Sequence, residues 1–262
     1  MIIREYMPPY DVVIKSHPKD YVKLKYVIGS LVYLTPQPEG IYLISPDGFV
    51  PRGCERDKRI VSVRDDELFP NTDKNRFKYR PNWCFVSFIS MFQDITKNDF
   101  YLDANSDNIF KNELNLFDES GKPFLFMSPQ HSHHSQPYYT FNELMMGLSK
   151  VAEDSFIMEF MMYNKKVSRE ILDTVGGFDN FFNKSCEIID KDCHIADQEL
   201  YSNWCLAKHP DMYAIKKGIQ TLIDGKQYPL SYTSLELEAL IDAYKGDPDL
   251  TAISYHTWLP LI

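Results

Sequence analysis

Short apolar runs that each break off in a cluster of polar side chains recur along the N-terminal half of this chain. They are Asp11-Val-Val-Ile-Lys-Ser-His17, Gly40-Ile-Tyr-Leu-Ile-Ser-Pro46, Arg59-Ile-Val-Ser-Val-Arg-Asp-Asp66 and Asn98-Asp-Phe-Tyr-Leu-Asp-Ala-Asn-Ser-Asp107. Runs this short, bounded by turn-forming residues, are read as strands. Between the first two, Asp20 to Leu34 sets Val22, Leu24, Val27, Ile28 and Leu31 at helical spacing, with Asp20 as a capping residue. Strand, helix, strand and strand in that order predict an α/β sheet. Open α/β sheets bind ligands beyond the carboxyl ends of their strands. The ends Lys15-Ser16-His17, Ser45-Pro46-Asp47, Arg64-Asp65-Asp66 and Asn105-Ser106-Asp107 therefore mark a candidate cleft.

Further along, Trp83 to Phe92 is predicted as a buried helix and Pro123 to Ser128 as a strand. The spacing predicts helices over Phe141 to Val151 and Ser155 to Val175, the second stopped by Gly176-Gly177. Phe178 to Asp190 has no clear period, Gln198 to Ala207 and Leu235 to Tyr244 are helical, and Thr251 to His256 is a last short strand. Without repeats, low-complexity stretches or a linker, a single domain over residues 1–262 is the simpler organisation.

Composition narrows the function classes. With 44% hydrophobic residues the chain can bury enough apolar surface to fold. A net charge of -9, from 28 Lys and Arg against 37 Asp and Glu, opposes broad binding to a nucleic-acid backbone. It does not oppose a nucleotide, which needs only a few local groups. No apolar run approaches the ~20 residues that span a bilayer, and Met1 to Tyr10 lacks the pattern of a secretory leader. The five cysteines form no disulfide framework, so a reducing, cytoplasmic location is expected. The apolar end Trp258-Leu-Pro-Leu-Ile262 leaves open that the chain is one module of a longer protein.

The segment Tyr101-Leu-Asp-Ala-Asn-Ser-Asp-Asn-Ile-Phe110 carries the most chemistry. If the strand continues through it, Asp103, Asn105 and Asp107 share one face, because strand side chains alternate. Oxygen donors along one edge suit Mn²⁺ or Mg²⁺. An Asx-rich turn that merely closes a strand is the competing explanation. His131-Ser-His-His134 has no cysteine partner at a zinc spacing, and adjacent histidines in a loop seldom both reach one ion. No phosphate-cradling glycine motif and no nucleophile elbow is present.

Asn105-Ser106-Asp107-Asn108-Ile109-Phe110 resembles the metal-binding strand end of GT-A-type glycosyltransferases, in particular a branch that assembles polysaccharides and glycans. Val12 to Asp20 looks like the first strand and donor loop of that group, and Arg80-Pro-Asn-Trp83 like its helix start. Ser155 to Tyr163 and Asp197-Gln-Glu-Leu-Tyr-Ser-Asn203 resemble its acceptor-side segment and its acidic block. The resemblance implies a GT-A-like α/β fold, its mostly parallel, mixed sheet flanked by helices. Residues 1–128 would form the nucleotide-sugar half, and 129–262 the acceptor-side half with a C-terminal tail. It implies transfer of a sugar from a nucleoside-diphosphate donor, uridine diphosphate being the commonest, to a hydroxyl of a glycan or glycoprotein.

By that resemblance Asp107 would hold Mn²⁺ or Mg²⁺ with Asn105, Asp103 and a late histidine, His256. Lys15, Ser16, His17, Arg64, Asp65, Arg80, Trp83, Asn105 and Ser106 would meet the donor. His131, His133, His134, Glu159 and Tyr201 would stand on the acceptor side, and Asp154, Asp197 and Glu199 compete as the general base, with inversion and retention both open. One departure is plain: the first acid of the family's Asp-x-Asp pair is Asn105 here. Two other readings stay open, a nucleotide-sugar hydrolase or other phosphoryl-cleaving metalloenzyme, and a non-catalytic binding module with a degenerate metal site.

Overall fold

A computed structural model describes residues 7–128, 136–227 and 232–258. In chain order the first half contains β1 (Tyr10–Lys15), α1 (Tyr21–Ser30), β2 (Leu34–Thr35), β3 (Gly40–Ser45), β4 (Ile60–Arg64), α2 (Asp65–Leu68), α3 (Pro81–Phe92), β5 (Phe100–Asn105), β6 (Asn108–Phe110), β7 (Leu114–Asn115) and β8 (Phe124–Phe126). The second half contains α4 (Gln136–Met146), β9 (Phe160–Asn164), α5 (Lys165–Thr174), α6 (Phe178–Ile188), α7 (Asp197–Lys208), β10 (Ala214–Lys216), β11 (Gln220–Gln227), α8 (Ser234–Ala243) and β12 (Leu250–Trp258).

The fold is mixed α/β around a five-stranded sheet in the order β4-β3-β1-β5-β9. β4, β3, β1 and β5 are parallel, and β9 runs antiparallel beside β5. Alternation along the strands divides the core. Val13, Tyr101, Met161 and Tyr163 point to one face and pack with side chains of α3, α5, α6 and α7. Val12, Ile14, Leu102, Phe160 and Met162 point to the other face, toward α1, α8, β6 and β12. Both faces of the central strands are thus covered, which is why β1 and β3 are near-continuous apolar runs, whereas the edge strand β4 is largely exposed. No helix among the described residues is long and apolar enough to cross a membrane.

A second sheet, β11-β12-β6, leans on the first where β5 ends. β11 and β12 are parallel and joined through α8, whereas β12 meets β6 antiparallel. Strand order reverses at β1, which has β3 on one side and β5 on the other. The gap beyond the carboxyl ends of β1 and β5 is therefore the topological switch point, where ligands of such sheets bind.

Several elements differ from the expectation. Ser155 to Val175 is not one helix: Phe160–Asn164 is the strand β9, and α5 starts only at Lys165. Phe160 to Asn164 are buried throughout, one set under each face of the sheet, and an apolar run of that kind has no diagnostic period. The Asn164 side chain then accepts from the Lys166 amide at 2.9 Å and caps α5. The helix expected at Phe141 to Val151 is α4, which begins at Gln136 and ends before Gly147, a glycine with φ +64°. Phe178 to Asp190 is largely α6, its Phe181 and Phe182 buried. β10 and β11 were not foreseen, because Gln220–Gln227 is mostly half-exposed and carries little apolar signal.

Candidate functional site

The site is built around the end of β5. Pairing in that strand stops at Asn105, in register with Lys15 of β1, and Ser106-Asp107 turns the chain into β6. Asp103, Asn105 and Asp107 consequently do not continue on one strand face as expected. The Asp107 carbonyl accepts from the Tyr255 amide at 2.9 Å, which ties the turn to β12. The next residue of β12 is His256, and its Nδ1 lies 3.9 Å from Asp107 Oδ2. Its Nε2 lies 3.5 Å from Oε1 of Glu159, the residue immediately before β9.

One donor atom from each of Asp107, Glu159 and His256 falls within 4.8 Å of the others. Ligands about 2.1 Å from a Mg²⁺-sized ion stand roughly 3.0 to 4.2 Å apart. Two carboxylates and an imidazole gathered this closely are a group that could hold a metal ion.

The electrostatics are strained in a way a cation relieves. Burial pushes the Asp107 carboxyl up to about 6; His256 opposes that shift and Glu159 adds to it. At His256, burial favours the neutral ring, but the Glu159 hydrogen bond and the Asp107 and Glu159 charges outweigh it and raise the imidazole above its usual range. Nearby Asp20 makes no side-chain capping bond to α1, contrary to expectation: Lys19 Nζ and Lys23 Nζ each lie 2.6 Å from one of its carboxylate oxygens.

The other acids expected at the site have different surroundings. Asp103 is buried and ion-paired with Lys15, whose ammonium also donates to Ser90. Burial raises the Asp103 carboxyl, Lys15 opposes that, and Asp103 is not part of the Asp107 cluster. Lys15 is thereby committed to the core instead of to a donor phosphate. Glu199 is fully buried; it accepts from the Ser155 hydroxyl, from the Phe156 amide at 3.0 Å and from Asn203 Nδ2 at 3.1 Å. Its neighbour Gln198 grips the Met158 backbone, accepting from its amide at 2.9 Å and donating to its carbonyl at 2.6 Å. The first turn of α7 is thus a clamp on the segment that delivers Glu159.

Asp197 accepts from the Tyr163 hydroxyl, and half-buried Asp154 lies 3.2 Å from Lys217 Nζ. Asp154 does not open a helix, since residues 155–159 are irregular. Tyr201 is enclosed, accepting from the Asn164 amide at 2.7 Å and bonding Tyr213 OH at 2.9 Å, so it faces no acceptor. Glu159, expected on the acceptor side, is instead beside His256.

Ser16 and His17 follow β1 at the cleft. The Ser16 amide donates to Ile44 O at 2.7 Å, and exposed His17 caps the turn at Pro18 through its Nδ1, 3.4 Å from the Lys19 amide. Burial lowers the His17 imidazole, with Lys19 adding to the shift. Ser106 is buried in the turn. Arg64 pairs with Asp66 at 2.6 Å on the surface, and Asp65 starts α2. Arg80 precedes α3 at φ 46° and stacks its guanidinium 4.3 Å over Trp83, whose indole is partly exposed. Among the described residues no carboxylate pairs with Arg80. His131, His133 and His134 lie outside the described residues.

Glu159 is the one site residue whose place sequence reasoning missed. Its signal was present as the lone charge inside Phe156-Ile-Met-Glu-Phe-Met-Met-Tyr163. A charge interrupting a buried run must be paired or hold an ion. Fold and site together define a mixed α/β protein with an acid and histidine cluster where β5 ends. No family model and no curated protein sequence matches the chain.

Proposed function

We propose that this protein is a GT-A-like glycosyltransferase that moves a sugar from a nucleoside-diphosphate donor to a glycan hydroxyl with divalent-cation assistance. The observation that carries the reading is the Asp107–Glu159–His256 cluster at the crevice between β1 and β5. Asp107, Glu159 and His256 would hold the cation. When bound, Mn²⁺ or Mg²⁺ supplies positive charge against the departing nucleoside diphosphate. That charge is needed: Lys15 and Arg64 are each engaged by a carboxylate, which leaves Arg80 as the expected donor-side cation still open to a phosphate.

The chain's own residues supply the remainder. Ser16 and His17 border the crevice from β1. Asp154 would take the acceptor proton: Glu199 is enclosed and Asp197 is held by Tyr163, whereas Asp154 is half-exposed and meets only the exposed Lys217 at 3.2 Å among the ion pairs of the described residues.

The deciding experiment is a thermal-shift screen with uridine, guanosine and thymidine diphosphates, each with and without Mn²⁺. A ligand at ~100 times its dissociation constant adds about 2.7 kcal/mol, which raises the midpoint of a chain this size by roughly 5 °C or more. One nucleotide should produce that shift and need Mn²⁺ to do so. If none moves the midpoint, the transferase reading fails. Release of free sugar without acceptor would turn it into a hydrolase instead.

A further inference from the structure

The residue that departs from the Asp-x-Asp pattern has a defined partner. Asn105 Nδ2 donates to Glu159 Oε2 at 2.7 Å, and the Asn105 amide donates to the Glu159 carbonyl at 3.1 Å. A carboxylate only accepts, so the side-chain amide must present its NH₂ group here. With Oε2 tethered in this way, Oε1 is the oxygen that lies 3.5 Å from His256 Nε2. The backbone on the other side of Glu159 is fixed as well, since Met158 is gripped by Gln198 at 2.9 and 2.6 Å. Asp103, the acid on β5, is ion-paired with Lys15.

We infer that Asn105 is a positioning residue which makes Glu159 the second acid of the cation site. The carboxylate missing at position 105 has been moved to position 159, and Asn105 orients it. An aspartate at 105 would bring two carboxylates together where an N–H···O bond now stands, and the orienting donor would be lost. Restoring the family's acid therefore breaks the site. The inference rests on the cation site of the reading above and is independent of its donor and acceptor.

The test is Mn²⁺ titration of the whole chain without nucleotide, followed by the electron paramagnetic resonance of free and bound Mn²⁺. Outer-sphere partners of a metal ligand typically govern affinity by about 10- to 100-fold. Glu159→Gln should weaken binding at least tenfold, and Asn105→Ala by about tenfold. Asn105→Ala should also change the bound-Mn²⁺ line shape, and in the Glu159→Gln background it should cost nothing further, because there is no acid left to orient. Asn105→Asp should bind no tighter than the wild type. Tighter binding by Asn105→Asp, wild-type affinity in Glu159→Gln, or a wild-type chain that leaves Mn²⁺ free at millimolar concentration each overturns the inference. Should Asn105→Asp fail to fold, the Asn105→Ala and Glu159→Gln cycle still decides. The expected pattern without any nucleotide shift upholds the inference and sinks the transferase reading, whereas a nucleotide shift without the pattern does the reverse.

Discussion

Single side chains in this protein separate into those that face the cleft and those that only hold it. Lys15 belongs to the second group. Removing it strands a buried carboxylate at Asp103, and breaking one partner of a buried pair costs about 3–5 kcal/mol. Lys15→Met should lower the unfolding free energy from urea denaturation by that amount, and Lys15→Met with Asp103→Asn should recover most of it. Loss of nucleotide affinity in Lys15→Met without loss of stability would return Lys15 to the donor site. Glu199 is tested in the same way. Glu199→Ala leaves the Phe156 amide and the Ser155 hydroxyl without their buried acceptor, about 2–4 kcal/mol of stability, measured by chemical denaturation. Asp154→Asn, in contrast, should leave the midpoint and nucleotide binding unchanged while slowing turnover by about 10²-fold or more.

At the scale of elements, the first turn of α7 is the part that links packing to the site. Gln198 and Glu199 fasten residues 155–158 so that Glu159 emerges beside β12. Gln198→Ala removes two hydrogen bonds from that segment. It should weaken Mn²⁺ binding by about tenfold, with a stability loss of roughly 1–2 kcal/mol. Unchanged Mn²⁺ affinity in Gln198→Ala would show that Met158 needs no clamp. β9 illustrates why element types were only partly legible. The parallel strands are marked by the polar clusters that end them and α1 by its helical spacing, whereas β9 is apolar on both faces and runs directly into α5. Such a run is helix or strand according to what covers it, and here β5 and the two core layers decide.

At the scale of the whole molecule, four of the five cysteines are buried within the core layers, and Cys54 alone is not. Burial pushes Cys84 and Cys205 up to about 12 and Cys193 to about 11. Below the ordinary thiol range near pH 8.5 these groups are protonated in both states and cost nothing. As pH rises further, the unfolded chain ionises first, so stability should fall from about pH 9 upward. Urea midpoints measured across that range check the sign. In the native protein a thiol reagent at neutral pH should modify Cys54 alone, and the other four only on unfolding.

The α/β class and the polar ends of the parallel strands could be read from the chain alone, because local period and chain order carry those signals, whereas Asp107 stood out only through the resemblance of residues 105–110. His256 was legible only as a candidate, through the late histidine that the resemblance implies. Three matters were settled by tertiary structure alone: that Lys15 and Asp103 neutralise each other, that Glu199 is a buried brace, and that Glu159 meets His256 across sequence separations no local pattern spans. The physical reason is the same in each. A charged side chain announces that it needs a partner, but only the packing of distant strands decides which partner it finds.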